Sequence, residues 1–382
     1  VNKLNGSVRK KGNTWYYSFE LARVGGKRKR IERSGGRTKK EALRKMRESM
    51  LEYEKAGQLI DESDMSLADY LDYWYENYAK VNLKYNTLEY YRMVIDKHLK
   101  PSIGFYRLAS ITPANLQKFI NSKQLSGYSK SSVQGFRNVL SSAFRMAVYP
   151  YQFIKQDPMR HITMPKFDQI KSDGELKIIS TDDFKSIMGR FPRGTTFYVP
   201  LQIGFNTGFR AGEVCGLTWD CVDLNQKTLR VEKILIMKTK GVSEYGTPKT
   251  PSSIRTISIS DSLVKILKSH KRDQIENRLK YGQYYTESNH VCTKENGEPV
   301  TTNTLKYLSR VINHELHINF NFHSLRHTHA SMLLAAGANI KAIQERLGHS
   351  KIATTMDIYA HITKDLHAST AQFLEQISSQ IE

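Results

Sequence analysis

The sequence predicts a multidomain, mostly α-helical protein with a small N-terminal β-sheet plus helix, an all-helical domain, and a mixed α/β C-terminal domain. Three observations predict it. A chain of 382 residues exceeds what one ordinary core serves, so two or three domains are expected. The apolar pattern changes from an aromatic, strand-favouring run near Trp15 to helical spacing from Ser66 onward. Periodicity is then lost over residues 157 to 178, with Asp157-Pro158 and Met164-Pro165 as breaks, and resumes at Ser180. The expected boundaries are 1–62, 63–160, a linker at 161–178, and 179–382 with a C-terminal tail helix.

Each element has a local reason. Thr14 to Leu21 reads as a strand, Gly25-Gly26 as a hairpin turn and Lys27 to Arg33 as the returning strand. Thr38, with Glu41 three residues later, forms a capping box that opens a helix ending near Gly57. In the second domain Leu67, Tyr70, Leu71, Trp74, Tyr75 and Tyr78 follow i, i+3, i+4 spacing. Asn86 and Glu89 predict a second capping box, followed by the stripe Leu88, Tyr91, Ile95, Leu99, which ends before Pro101. Thr112-Pro113 opens a third helix, and Val133, Phe136, Leu140 and Phe144 mark a fourth. These aromatic stripes read as core. In the last domain, strands are expected at Thr228 to Ile236 and at Ile254 to Ile259 among helices.

Charge narrows the partner. There are 58 Lys and Arg against 37 Asp and Glu, a formal net charge of +21. That excess calls for a polyanion, and without a basic amphipathic helix of wide apolar face the polyanion is nucleic acid, not a membrane surface. Residues 1 to 60 hold 17 Lys and Arg against 6 Glu, so about half the excess sits in a dedicated N-terminal module. Lys27, Arg28, Lys29 and Arg30 lie on one expected strand, where a β-ribbon could enter the major groove of double-stranded DNA. Such binding should weaken steeply with salt. No apolar run approaches the ~20 residues that span a bilayer, and the basic N-terminus has no apolar segment after it, so no signal peptide is expected. Three cysteines, Cys215, Cys221 and Cys292, lack C-x-x-C spacing and fit a reducing cytoplasm without disulfides or zinc.

Four separated segments of the last domain carry the polar groups that packing does not demand. In Thr207-Gly208-Phe209-Arg210-Ala211-Gly212-Glu213, two glycines flank an arginine at a helix start, where N–H groups and a guanidinium can face a phosphate. Thr247-Pro248-Lys249-Thr250-Pro251 places a lysine on an expected hairpin, with Lys238 and Lys240 as alternatives for its role. His323-Ser324-Leu325-Arg326-His327 opens a helix running from Ser324 to Ala336 and puts His323 and Arg326 on one face near its positive end. His323 and His327 have the spacing of a zinc pair, but the H-E-x-x-H glutamate is missing, so no metal is expected. In Leu347-Gly348-His349, glycine ends a helix and leaves His349 on a turn, ten residues before Tyr359.

Taken in order, Arg-x-x-Glu, a hairpin lysine, His-x-x-Arg, Leu-Gly-His and a late tyrosine resemble the signature of the tyrosine recombinases, particularly integrases of conjugative transposons and temperate phages. The resemblance covers the whole chain and implies an arm-type DNA-binding domain, a helical SAM-like core-binding domain and a catalytic domain. It implies that Arg210, Lys249, His323, Arg326 and His349 line the pocket, that Glu213 supports it, and that Tyr359 is the nucleophile. The reaction implied is site-specific DNA recombination through a 3′-phosphotyrosine intermediate and a Holliday junction, with no cofactor, metal or ATP. The absence of a Walker-type G-x-x-x-x-G-K motif agrees. The implied partners are core-type and arm-type attachment sites, three further copies of the chain in a homo-tetramer on DNA, and an excisionase or host DNA-bending factor. The implied location is the bacterial cytoplasm, at the nucleoid. After Tyr359, Leu366, Phe373, Leu374, Ile377 and Ile381 recur at helical spacing and either cap their own domain or dock on a neighbouring copy. A type IB topoisomerase-like enzyme and an inactive DNA-binding regulator are the alternatives.

Overall fold

The computed structural model describes residues 6–24, 27–56, 65–167, 177–238, 243–248 and 251–356. The chain divides into two compact units, residues 1–169 and 170–382.

The first unit opens with an antiparallel sheet, β1 (Gly6–Lys11), β2 (Thr14–Val24) and β3 (Lys27–Gly36), followed by helix α1 (Lys39–Ala56). Alternation along β2 sends Tyr17 and Phe19 into a small core with Met46 of α1, and the Tyr17 hydroxyl meets Ser49 Oγ at 2.8 Å. The capping box forms as its residues dictate: Glu41 N–H donates to Thr38 Oγ1, and the Thr38 and Arg37 N–H groups donate to Glu41 Oε2. β1 has no counterpart in the apolar pattern because only Val8 of its six residues is even half-buried. Backbone pairing to β2, with Val8 opposite Tyr17, defines it instead.

The helical part contains α2 (Leu67–Trp74), α3 (Lys80–Asn82), α4 (Tyr85–Val94), α5 (Lys100–Ile103), α6 (Pro113–Leu125) and α7 (Lys130–Val148). Ser66 caps α2 by accepting the Asp69 N–H, and Thr112 caps α6 with Asn115 returning the bond. Trp74 is fully buried and stacks between Tyr78 and Tyr91, with ring centroids 6.0 and 5.9 Å away. A side chain of that size stabilises the domain by about 3 kcal/mol or more, which makes these aromatics core. Two expectations change. The Asn86–Glu89 capping box does not form, because the Leu88 N–H already reaches the Lys84 carbonyl at 3.0 Å and the helix starts before Asn86. The chain also stays helical past Pro101. A π turn over Ile95–Leu99 lets the Lys100 N–H bond Ile95, so Pro101 falls in the first turn of α5, where its missing N–H costs little.

The second unit contains α8 (Thr181–Arg190), α9 (Tyr198–Thr207), α10 (Ala211–Gly216), β4 (Val222–Asp223), β5 (Thr228–Val231), β6 (Ile234–Met237), β7 (Ser243–Gly246), β8 (Arg255–Ser258), α11 (Asp261–Tyr281), α12 (Thr302–Glu315), α13 (Ser324–Ala335) and α14 (Ile340–Leu347). The expected single strand from Thr228 to Ile236 is two strands. β5 pairs with β4 and β8, whereas β6 turns away at residues 232–233 to pair with β7. Thr247 and Pro248 therefore follow the β6–β7 hairpin and do not form its tip. The core gathers α9, α10, β5, β8, α11 and α12 around residues such as Leu201, Ile203, Phe209, Leu229, Ile257 and Leu308. The tail from residue 357 lies outside the described residues. Cys215, Cys221 and Cys292 are free thiols, and no described helix is long and apolar enough to cross a membrane.

Candidate active site

Two helix ends set up the site. α9 and α14 both stop on a left-handed glycine, Gly208 at φ 67° and Gly348 at φ 68°. Their last-turn carbonyls, left without helical partners, are taken by arginines from elsewhere in the unit. Arg326, on the first turn of α13, is only 1% exposed and donates Nη1 to the Gly208 carbonyl at 2.9 Å and Nη2 to the Leu347 carbonyl at 2.6 Å. Its guanidinium thereby joins the two helix ends. Burial, then Arg210, lowers its pKa to about 9, so it stays cationic at neutral pH.

Arg210 is the N-cap of α10. Its Nη1 reaches Glu213 Oε1 at 2.8 Å, its Nη2 reaches the Gly348 carbonyl at 3.2 Å, and its own N–H is accepted by Glu213 Oε2 at 3.0 Å. Glu213 is buried. Burial alone would raise its carboxyl, but Arg255 and then Arg210 outweigh it and hold the group below its ordinary value.

The histidines complete the cluster. His349 follows Gly348, is buried, and shares a 2.9 Å hydrogen bond between Nδ1 and Thr355 Oγ1. Burial, followed by Arg326 and Arg210, pushes it down to about 3. His323, exposed at the start of α13, is lowered by partial burial, by His327 in edge contact with it, and by Arg326 and Arg210. Arg210 with Glu213, His323 with Arg326, and His349, from three separate stretches of the chain, thus share one electrostatic neighbourhood of guanidiniums, neutral imidazoles and one carboxylate. Lys249, Lys240 and Tyr359 lie outside the described residues, while Lys238 forms an ion pair with Glu244 across the β6–β7 hairpin at 2.5 Å. On the N-terminal sheet Lys27, Arg28, Lys29 and Arg30 occupy β3, and Arg30 Nη2 donates to Ser7 and Ser18 hydroxyls at 2.6 and 2.9 Å.

Three members of this neighbourhood were missed in the sequence. Arg255 on β8 forks onto Glu213, donating Nη1 to Oε1 at 3.3 Å and Nη2 to Oε2 at 3.0 Å, and donates Nε to the Arg346 carbonyl at 2.6 Å. Arg346 in turn donates Nη1 to the Ser258 carbonyl at 2.9 Å and Nε to His329 Nε2 at 3.0 Å. Because a carbonyl only accepts, the 3.0 Å bond between His329 Nδ1 and Phe205 O places the proton on Nδ1 and makes Nε2 the acceptor. The signal for Arg255 was strand period: it shares a face with Ile257, so a cation is aimed inward.

Two predictions arise here. Alanine at Gly348 is forced into a left-handed backbone, costing about 1–2 kcal/mol, and its Cβ would sit 2.9 Å from the Ser252 carbonyl oxygen. A thermal melt of Gly348→Ala should fall by several degrees, given roughly 2–4 °C per kcal/mol for a domain of this size. An unchanged melt would contradict the strain. The second concerns pH. His329 and His349 are held at about 4 and about 3, against an ordinary 6.5, so the folded protein binds fewer protons than the unfolded chain at low pH. Their contribution is complete above 6.5 and is lost as pH falls from 6.5 towards 4 for His329 and towards 3 for His349. Melting temperature should therefore decline between pH 7.5 and 5, and less so in His329→Asn; the same slope in both would remove His329 from the explanation.

The phage integrase family matches residues 177–365, the phage integrase N-terminal SAM-like domain matches 66–124, and an arm DNA-binding domain matches 7–52. A XerC-like tyrosine recombinase of Caldanaerobacter subterraneus is 30% identical over 357 residues, 90% of each chain. The ICEBs1 integrase of Bacillus subtilis is 26% identical, covering 78% of this chain and 80% of that one. In fold, the chain is similar to the Tn1549 transposon integrase solved with transposon right-end DNA, at TM-score 0.65 and 23% identity over 81% of this chain and 100% of that one. It is also similar to the lambda integrase solved as a tetramer on a Holliday junction, at TM-score 0.58 and 20% identity over 93% and 94%.

Proposed function

The chain belongs to the tyrosine recombinase/integrase family, and from that premise we propose how its own residues carry out site-specific DNA recombination. Tyr359 attacks a backbone phosphate and becomes bonded to the 3′ phosphate, and reversal onto a second strand rejoins the DNA. The observation that supports this most is the convergence of Arg210 and Arg326 on one neighbourhood, Arg210 oriented by the Gly348 carbonyl after α14 and Arg326 by the Gly208 and Leu347 carbonyls at the ends of α9 and α14.

Ionising a tyrosine of pKa near 10 at pH 7 costs on the order of 4 kcal/mol. Guanidiniums beside the reacting phosphate recover much of that and stabilise the charge of the pentacoordinate transition state. His323 is neutral at pH 7 and accepts the tyrosine proton. His349, also neutral, donates from Nε2 to a phosphate oxygen, which requires Thr355 to donate its hydroxyl to Nδ1. Lys249 protonates the leaving 5′ oxygen. The phosphotyrosine conserves the energy of the broken bond, so neither ATP nor a metal is needed.

Around this step, residues 1–62 hold arm-type DNA, with Lys27, Arg28, Lys29 and Arg30 at its groove or backbone, while the helical domain, 63–160, and the catalytic domain, 179–382, hold the core-type site. Four copies exchange strands through a Holliday junction, assisted by an excisionase or host DNA-bending factor in the bacterial cytoplasm. The organisation of the lambda integrase tetramer on a Holliday junction supports the assembly. Nicked duplexes carrying one core-type site test the chemistry: an SDS-resistant adduct should accumulate in EDTA. Recombinant products from two paired sites then establish recombination; relaxation of supercoils without exchange would place the chain with topoisomerases instead.

A further inference from the structure

Glu213 poses a question of charge allocation. It is 3% exposed and accepts bonds from the Arg210 N–H, Arg210 Nη1, Arg255 Nη1 and Arg255 Nη2. A buried carboxylate needs a counter-ion, and an arginine consumed as that counter-ion grips a substrate phosphate poorly. The two candidate arginines differ sharply. The Arg210 side chain is 37% exposed and touches Glu213 through a single side-chain N–H, whereas the Arg255 side chain is 7% exposed and forks onto both carboxylate oxygens. Arg255 also gives Nε to the Arg346 carbonyl and Nη1 to the Ser253 carbonyl at 3.0 Å, and its guanidinium lies 5.0 Å from the Phe209 ring centroid. Four of its five donor hydrogens are thus committed to protein groups.

We propose that Arg255 is a positioning residue for strand cleavage: it takes the charge of Glu213, which leaves Arg210 available to the DNA phosphate, and it fastens the end of α14 beside Arg210. This rests on the reading of Arg210 as a phosphate ligand. The same side chain joins β8, α10 and the last turn of α14, so it couples the geometry of Arg210 to that of Gly348 and His349. Besides Arg210 and Arg255, Glu213 faces Arg326 on the first turn of α13 and His323 at its start.

The test uses the full chain and a nicked duplex with one core-type site, measuring single-turnover adduct formation at saturating DNA from pH 5.5 to 8.5, with DNA affinity and thermal melts alongside. Arg255→Met should cut adduct formation on the order of 10²-fold, the scale of a small misplacement at a reacting centre, with little change in affinity. Without Arg255, the carboxylate captures Arg210 when ionised and releases it when protonated, so the defect should shrink as pH falls. The double variant Arg255→Met with Glu213→Gln removes the captor and should recover most of the lost rate at every pH. Arg255→Lys, which keeps charge but not the fork, should be intermediate. If Arg255→Met unfolds, the lysine and double variants carry the same comparison, since the double variant leaves no unpaired charge buried. Wild-type cleavage in Arg255→Met, or a defect that neither low pH nor Glu213→Gln relieves, overturns the proposal. Full cleavage in Arg210→Lys would instead overturn the reading of Arg210 beneath it.

Discussion

Phenylalanine at Tyr359 should abolish the covalent protein–DNA adduct while leaving binding to a core-type duplex within a few-fold of wild type. The substitution removes one oxygen atom and keeps the ring, so packing around the position changes little. Its chemical effect is total, because no other atom of that side chain can form the phosphodiester. Gel shift and SDS gels on the same nicked duplex separate the two outcomes. Retention of the adduct in Tyr359→Phe would transfer the nucleophile to another residue, and loss of binding together with the adduct would make the position structural.

Arg326 should show the second largest effect, and on two observables at once. It is buried and links the Gly208 and Leu347 carbonyls, at 2.9 and 2.6 Å, across the junction of α9 and α14. Arg326→Ala leaves both acceptors without that partner, at about 1–3 kcal/mol each when buried, so the melt should fall strongly. Arg326→Lys is the sharper probe. A lysine retains a positive charge but cannot bridge two carbonyls and also present a planar fork to phosphate. Its cleavage rate should drop about 10³-fold or more, the loss expected for a charge-stabilising arginine in phosphoryl transfer, with a smaller loss of stability than alanine causes. Near wild-type single-turnover cleavage in Arg326→Lys would show that the buried guanidinium fastens helices and does nothing for the transition state.

Sequence exposed those parts of the fold that short-range rules determine. Ser66, Thr112 and Thr38 cap the helices they precede, since side-chain capping involves residues only three positions apart. Gly348 ends a helix because a left-handed residue is needed there; Gly208, read only as a flank of Arg210 at a helix start, ends α9 for the same reason. Long-range organisation was less visible. β1 exists through backbone pairing with β2 and has no apolar alternation to betray it. The π turn that carries the chain past Pro101 has Ile95 and Leu99 buried at its two ends, and no residue in it signals such a turn in sequence. The Asn86 capping signal failed for a related reason: backbone bonding from Lys84 had already begun the helix.

The site divides in the same way. Arg210, His323, Arg326 and His349 were found through their order along the chain, which says nothing of their distances. The orientation of the two arginines by helix-terminal carbonyls could not be read, because a guanidinium leaves no trace of its acceptor in sequence. Arg346 and His329 sit on helix faces like any surface-polar or core-polar residue, and their bonds to each other and to the Ser258 and Phe205 carbonyls, invisible in sequence, give them a role. Arg255 was legible in principle from its register with Ile257, yet a single arginine on a short strand is an ambiguous sign until Glu213 is seen opposite it.

The central claim, that a cationic pocket in this chain drives Tyr359 onto a DNA phosphate without metal, is tested most directly by mapping the covalent bond. Wild-type protein trapped on a nicked core-type duplex in EDTA should yield, after protease and nuclease digestion, one nucleotide-bearing peptide, with the modification on Tyr359 by fragment-ion mass spectrometry. A nucleotide attached to any other residue, or an adduct that forms only when a divalent metal is restored, would contradict it.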